Sequence, residues 1–188
     1  PLLWNITLNT LLSKLGIDSK FIQAFADDLV ILIPGFCKST IRDQAQSHLV
    51  NINRWCSSKG LKLSELKTSV VLFTTKRDAK LDINLRLNGR DIPLVDQVTY
   101  LGVVFDSKLN WAPHIMAKCN KGICMLQACK KALGKSWGLS PKTTRWLYQQ
   151  VIFPSVAYAT LVWHHTIDHR IYVRERLETL QRHAALMI

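Results

Sequence analysis

Residues 21–33 constrain the fold more than any other stretch of the chain. Two short apolar runs, Phe21 to Ala26 and Leu29 to Ile33, bracket the adjacent acids Asp27 and Asp28 and stop at Pro34-Gly35. Such a pattern reads as a tight hairpin with two carboxylates at its tip. Turns take Gly or Asn where φ must be positive, and neither is present between the runs. The acids therefore look selected for something other than turn geometry. A hard cation such as Mg²⁺ takes carboxylate oxygens, and a hairpin tip presents them rigidly. The plainer alternative is that both acids merely solvate the turn.

The hairpin sits among helical and strand-like segments. Leu8, Leu11, Leu12 and Leu15 recur at helical spacing ahead of Gly16, so residues 1–15 read as an amphipathic helix. A second helix is expected from Ser39 to about Ser58, opened by a Ser or Thr cap and ended by Gly60. Leu61 to Leu63 and Ser69 to Phe73 read as strands around Lys67. Leu81 to Leu87, the Asn88-Gly89 turn, and Val98 to Phe105 suggest a further hairpin and a strand. Helices beside short antiparallel strands define an α+β layer. Beyond Asn110 the period becomes helical, with helices expected over His114 to Leu133, Thr143 to about Ala159, and Asp168 to Met187. Ser140-Pro141 should cap the second of these, and Pro154 should kink or break it.

Charge follows the same division. The formal net charge is +12, which favours a polyanionic partner, because Lys and Arg gain affinity by releasing counterions from phosphates. Residues 108–188 hold 12 Lys or Arg against 3 acids, while residues 1–107 hold 13 against 10. A boundary near Asp106 is expected, with a first region 1–107 and a helical region 108–188. Along the first helix of the latter, Ile115, Cys119, Leu126, Cys129 and Leu133 fall on one face and Lys118, Lys121, Lys131 and Lys135 on the opposite one. One face packs and the other is basic, either as a nucleic-acid surface or as an ordinary solvated one.

Other chemistries find little support. Cys119, Cys124 and Cys129 are spaced by five, a turn of about 140° at each step, so they do not converge on a metal and read as buried thiols. An odd number of cysteines, five, without a signal peptide suggests a reduced intracellular protein. No apolar run reaches the length of a membrane span. There is no phosphate-binding Gly-rich loop and no Ser or Cys nucleophile motif. Pro1 is no initiator, and the opening on Leu2, Leu3 and Trp4 reads as part of a longer chain.

Several blocks together carry a resemblance. Phe25-Ala26-Asp27-Asp28 between apolar strands resembles the aromatic-Ala-Asp-Asp box of reverse transcriptases. Pro1-Leu2-Leu3-Trp4-Asn5 is similar to the end of the preceding palm motif, and Gly60-Leu61-Lys62-Leu63 with Lys67-Thr68 to the following one. Tyr100-Leu101-Gly102-Val103, Leu109-Asn110-Trp111 and His114 resemble the join between palm and thumb in retrotransposons, as does the tail around Tyr148, Pro154, Tyr158 and Trp163. Their order resembles non-LTR elements of the jockey and ribosomal-DNA-inserting type more than retroviruses.

The resemblance implies the carboxy-terminal part of a palm over 1–107 and a helical thumb over 108–188. It implies RNA-directed DNA synthesis with two Mg²⁺ ions, a dNTP, an RNA template and a DNA primer, in a protein of the nucleus and cytoplasm. Asp27 would hold metal, Asp28 would support it, and Lys67 would assist the leaving pyrophosphate. Phe25 stands where many relatives have Tyr and would pack beneath the primer end. Gly102 would allow close approach of the primer, or mark a simple bulge. The first catalytic Asp, the fingers and the template-gripping motifs are absent, so synthesis would need the missing amino-terminal part of the same polyprotein, which in relatives also carries an endonuclease. The rival readings are a basic nucleic-acid-binding module in which the acids are incidental, and a degenerate element copy.

Overall fold

The computed structural model describes residues 2–74, 83–132, 138–167 and 170–187. Lys135, the Leu133-Gly134 helix stop, Leu81 and Asp168 lie outside these. The chain divides into two compact units, Pro1–Leu72 with Lys76–Val95, and Phe73–Thr75 with Asp96–Ile188. Both helices and short antiparallel hairpins are present, so the α+β class holds. Each of the three hairpins is a separate two-stranded sheet among the described residues.

The first unit opens with α1 (Leu2–Leu15), followed by β1 (Ile22–Phe25) and β2 (Asp28–Ile31), then α2 (Lys38–Ser58). Its first core joins these pieces: Leu11, Ile52, Trp55 and Cys56 are buried, with Leu8, Leu15, Leu29 and Ile31 packed on them. The Trp55 indole N–H donates to Thr10 Oγ1 at 3.1 Å, which ties α2 to α1. A second core gathers Ala45, Ile83, Leu85, Leu87 and Ile92. The Gln46 amide clasps the Arg86 backbone from both sides, each bond 2.9 Å long. β3 (Arg86–Leu87) and β4 (Arg90–Asp91) are joined by Asn88 and Gly89, both at positive φ, as the Asn-Gly pair predicts.

Three expectations for this unit are corrected. α2 begins after Cys37 and not after a Ser or Thr cap, and no side chain caps its first turn. Leu61 to Leu63 and Ser69 to Phe73 do not form strands. Leu61, Leu63 and Val70 still pack against the cores, but Val70 makes a single bridge to Leu94, where Pro93 offers a carbonyl and no N–H to extend a ladder.

The second unit starts with a hairpin, β5 (Gln97–Tyr100) and β6 (Val103–Asp106), where a single strand was expected. Leu101 and Gly102, both at positive φ, make the two-residue turn. The hairpin packs on the helices: Val103 shares a core with Trp111, Ile115, Cys119, Trp163 and Val173, and the Phe105 and Trp111 rings meet edge to face at 5.2 Å. Asp106 accepts the Trp111 backbone N–H at 2.9 Å, shaping the entry to α3 (Ala112–Lys131).

α4 (Pro141–Leu147) starts as expected, with Ser140 Oγ accepting from Thr143 N at 3.1 Å. The helix expected to run to about Ala159 is interrupted, as Pro154 predicts. A π-helical turn spans Tyr148–Ile152 before α5 (Phe153–Val156). Pro154 explains it: the ring has no N–H to donate and crowds the preceding turn, which widens to accommodate it. α6 (Thr160–Trp163) and α7 (Ile171–Ala185) complete the unit, with Leu126, Ile152, Val156, Leu180 and Ala184 forming its second core. Among the described residues no helix is long and apolar enough to cross a membrane.

Candidate active-site hairpin and basic helix

Strands β1 and β2 pair antiparallel from Ile22 opposite Ile31 to Phe25 opposite Asp28, leaving Ala26 and Asp27 as the two turn residues. Ile22, Leu29 and Ile31 face the core while Phe25, Asp27 and Asp28 are exposed. The acids thus occupy the tip, as expected, but in different roles. Asp27 is in the turn itself, whereas Asp28 is the first residue of β2. The positive φ that the turn requires falls on neither acid but on Ala26, at 52°. This is the first central position, where the turn of opposite hand to type II places glycine. The Ala26 carbonyl accepts the Trp4 indole N–H at 2.7 Å. Sequence reasoning gave Trp4 no role, and no local signal could have assigned one.

The donor set at this tip suits a hard cation. Both side chains are exposed carboxylates on neighbouring positions, the oxygen ligands Mg²⁺ prefers. Mg²⁺ also keeps several waters and takes substrate phosphates, so one or two protein carboxylates suffice. Among the described residues no group of three His, Cys, Asp or Glu side chains converges, at this tip or elsewhere. Cys119 is buried and Cys129 half-buried, but Cys124 is exposed, contrary to expectation; the 140° step that separates the thiols also turns this one outward. Burial pushes the Cys119 thiol above its usual range.

Lys67 is exposed on the turn over residues 65–67. Among the described residues no hydrogen bond or ion pair joins it to Asp27 or Asp28. Phe25, 60% exposed, offers an open ring beside the acids.

In the second unit, Gly102 is a turn residue and not a bulge within a strand. A Cβ there would lie 3.4 Å from the Tyr158 ring, so its close approach is to Tyr158. Tyr158 donates its hydroxyl to the Leu101 carbonyl at 2.8 Å and receives the Trp163 indole N–H on its own carbonyl at 3.0 Å. Lys118 is not on the solvent face with its neighbours. It is half-buried, its ammonium 4.6 Å from the centre of the Tyr158 ring, and burial together with the Lys121 charge lowers its pKa. Lys121 and Lys131 are exposed, and so is Lys130, which the face assignment omitted. His114 is wholly buried and accepts the Val104 N–H on Nδ1 at 3.2 Å, joining β6 to α3. Burial, then the charge of Lys118, lowers its pKa.

The exposed pair of acids at the hairpin tip, the aromatic residue before it and the helix hydrogen-bonded to it all lie in the part of the chain that a known family matches. Residues 1–105 match the profile of the reverse transcriptase (RNA-dependent DNA polymerase) family, and the chain belongs to that family. It is 26% identical over 182 residues, 97% of this chain, to a 115 kDa protein in the type-1 retrotransposable element R1DM of Drosophila melanogaster. That match spans 17% of the relative. Against the Retrovirus-related Pol polyprotein from type-1 retrotransposable element R1 of Bradysia coprophila it is 27% identical over 190 residues, all of this chain and 19% of the relative. Against the RNA-directed DNA polymerase from mobile element jockey of Drosophila funebris it is 24% identical over 143 residues, 76% of this chain and 15% of the relative. The resemblance to non-LTR retrotransposon enzymes is thereby borne out. The chain spans less than a fifth of the length of these three relatives. No solved structure matches it.

Proposed function

We propose that this chain is the carboxy-terminal part of a retrotransposon polymerase, with a partial palm over 1–107 and a helical thumb over 108–188, acting within a longer polyprotein. The observation that carries the reading is the Asp27-Asp28 tip. An exposed carboxylate in the turn and another at the start of β2 stand on a hairpin whose apolar face is packed against α1 and α2. Mg²⁺ bound there supplies activation of the primer 3′-hydroxyl and charge stabilisation at the leaving pyrophosphate.

The chain's own residues prepare for that chemistry. Asp27 holds its carboxylate at the tip, with Asp28 beside it on β2, and Phe25 offers a ring for the primer end to pack on. Lys67, an exposed ammonium, neutralises or protonates pyrophosphate as it leaves. Lys121 and Lys131, with Lys135 as a further member of the basic set, hold the duplex through its phosphates without reading bases, while Lys118, expected on the same face, is engaged by the Tyr158 ring. The substrates are then a dNTP and a DNA primer on an RNA template. An Asp and the fingers supplied by the amino-terminal part of the polyprotein complete the site, and the chain alone does not synthesise DNA.

The test is Asp27→Asn in the complete enzyme. An amide keeps the shape and removes the charge, so single-turnover incorporation on a primed RNA template should be abolished while filter binding of the primer-template stays near normal. Near-normal incorporation would leave a non-catalytic, basic nucleic-acid-binding module as the better account.

A further inference from the structure

The backbone of the turn that carries Asp27 is held from outside the hairpin. At φ 52° Ala26 occupies the left-handed region, which L side chains avoid and glycine enters freely. A two-residue turn with alanine there relaxes unless something fixes it. The pairing of Phe25 with Asp28 stops short of the Ala26 carbonyl, and that carbonyl receives the Trp4 indole N–H at 2.7 Å across 22 positions of sequence.

Trp4 is itself well placed to act as an anchor. It shares a face of α1 with Leu8, Leu11 and Leu15, the side chains that pack into the core with Ile52 and Trp55. α1 is also bonded to α2 through Trp55 and Thr10. The Ala26 carbonyl and the Asp27 N–H belong to one rigid peptide plane. Fixing the carbonyl therefore fixes the plane from which the Asp27 side chain departs.

We infer that Trp4 is a positioning residue for the catalytic hairpin, its indole N–H holding the Ala26–Asp27 peptide in the orientation that aims the Asp27 carboxylate. The inference rests on the reading of Asp27 as a metal ligand. It assigns α1 a function beyond packing: the helix transmits the rigidity of the α1–α2 core to the tip of β1–β2 through one side-chain donor. Trp4 touches no substrate.

The experiment uses Trp4→Phe in the complete enzyme, which keeps an aromatic ring and removes the donor. Two readouts are taken: single-turnover incorporation as a function of Mg²⁺, and Mn²⁺ affinity by electron paramagnetic resonance in a complex with dNTP and a primer lacking its 3′-hydroxyl. Losing one hydrogen bond should weaken apparent metal affinity by roughly three- to tenfold. Incorporation should recover at high Mg²⁺, while primer-template affinity stays unchanged. Ala26→Gly, which removes the cost of the positive φ, should shrink the effect of Trp4→Phe when the two are combined.

Unchanged Mn²⁺ affinity in Trp4→Phe overturns the inference. So does a uniform loss of thermal stability, primer-template binding and incorporation that Mg²⁺ does not restore, since that is the signature of packing alone. Asp27→Asn separates the two claims. If it retains incorporation, the metal-ligand reading fails; if it is inactive while Trp4→Phe behaves as wild type, only the positioning role fails.

Discussion

Neutralising the lysines of α3 one at a time distinguishes those that meet phosphate from the one engaged within the fold. Lys121 and Lys131 are exposed, whereas Lys118 is half-buried with its ammonium on the Tyr158 ring. Each neutralised phosphate contributes about 0.9 to the slope of log affinity against log salt. Lys121→Gln combined with Lys131→Gln should therefore make the slope shallower by about 1.8, so that an approximately fourfold rise in salt costs the variant roughly tenfold less affinity than wild type. Lys118→Gln should change the slope by less than about 0.3, because its charge is already committed. Its loss should appear as stability: a cation–π contact contributes about 0.5–2 kcal/mol, or a melting temperature lower by a few degrees in a chain of this size. Anisotropy titrations of a primer-template duplex across a salt series, with thermal denaturation of the same variants, measure both. An equal loss of slope in Lys118→Gln and Lys121→Gln would refute the division. No change in the double variant would remove α3 as the phosphate-binding face.

Asp28→Asn and Lys67→Ala should reduce single-turnover incorporation less than Asp27→Asn does. Asp28 leaves β2 on the adjacent position and Lys67 acts on the leaving group alone; equal loss in all three variants would contradict these roles. His114 has a folded pKa below its unfolded value of about 6.5, so the stability of the second unit should be fully present above that pH and fall as pH drops through and below it. Chemical denaturation between about pH 5 and 8 should show this slope, and His114→Gln should flatten it. Gly122→Ala would bring a Cβ to 2.8 Å from Val156 Cγ2 and 2.9 Å from Leu180 Cδ1. Overpacking of about 1–3 kcal/mol outweighs the helix-propensity gain of about 1 kcal/mol, so the melting temperature should fall. A rise would mean that α3 does not pack as closely as described.

Much of this protein is written in neighbouring residues, and those parts were legible. The hairpin over 22–31 follows from two apolar runs around two acids, the β3–β4 turn from Asn88-Gly89, and the start of α4 from Ser140-Pro141. The α-to-β alternation follows from apolar period, and the family from the order of short blocks. Each of these depends on preferences expressed within a few bonds or a few turns of chain.

What tertiary structure alone decided depends on partners far away in sequence. Alanine, not an acid, takes the positive φ at the tip, and its carbonyl accepts from Trp4, which reaches over from α1. Leu61 to Leu63 read as a strand by composition, yet Leu61 and Leu63 pack against a core while the backbone finds no partner strand among the described residues. Gly102 looked like a residue within a strand until Leu101 joined it at positive φ and Tyr158 closed over it. Lys118 is a surface lysine by helical period, but it lies at the margin of the buried face, where an aromatic ring 40 residues on meets its charge. Period counts positions along one element and carries no record of what packs beside it. The same residue types therefore bind solvent, ring or phosphate according to neighbours that only the folded chain supplies.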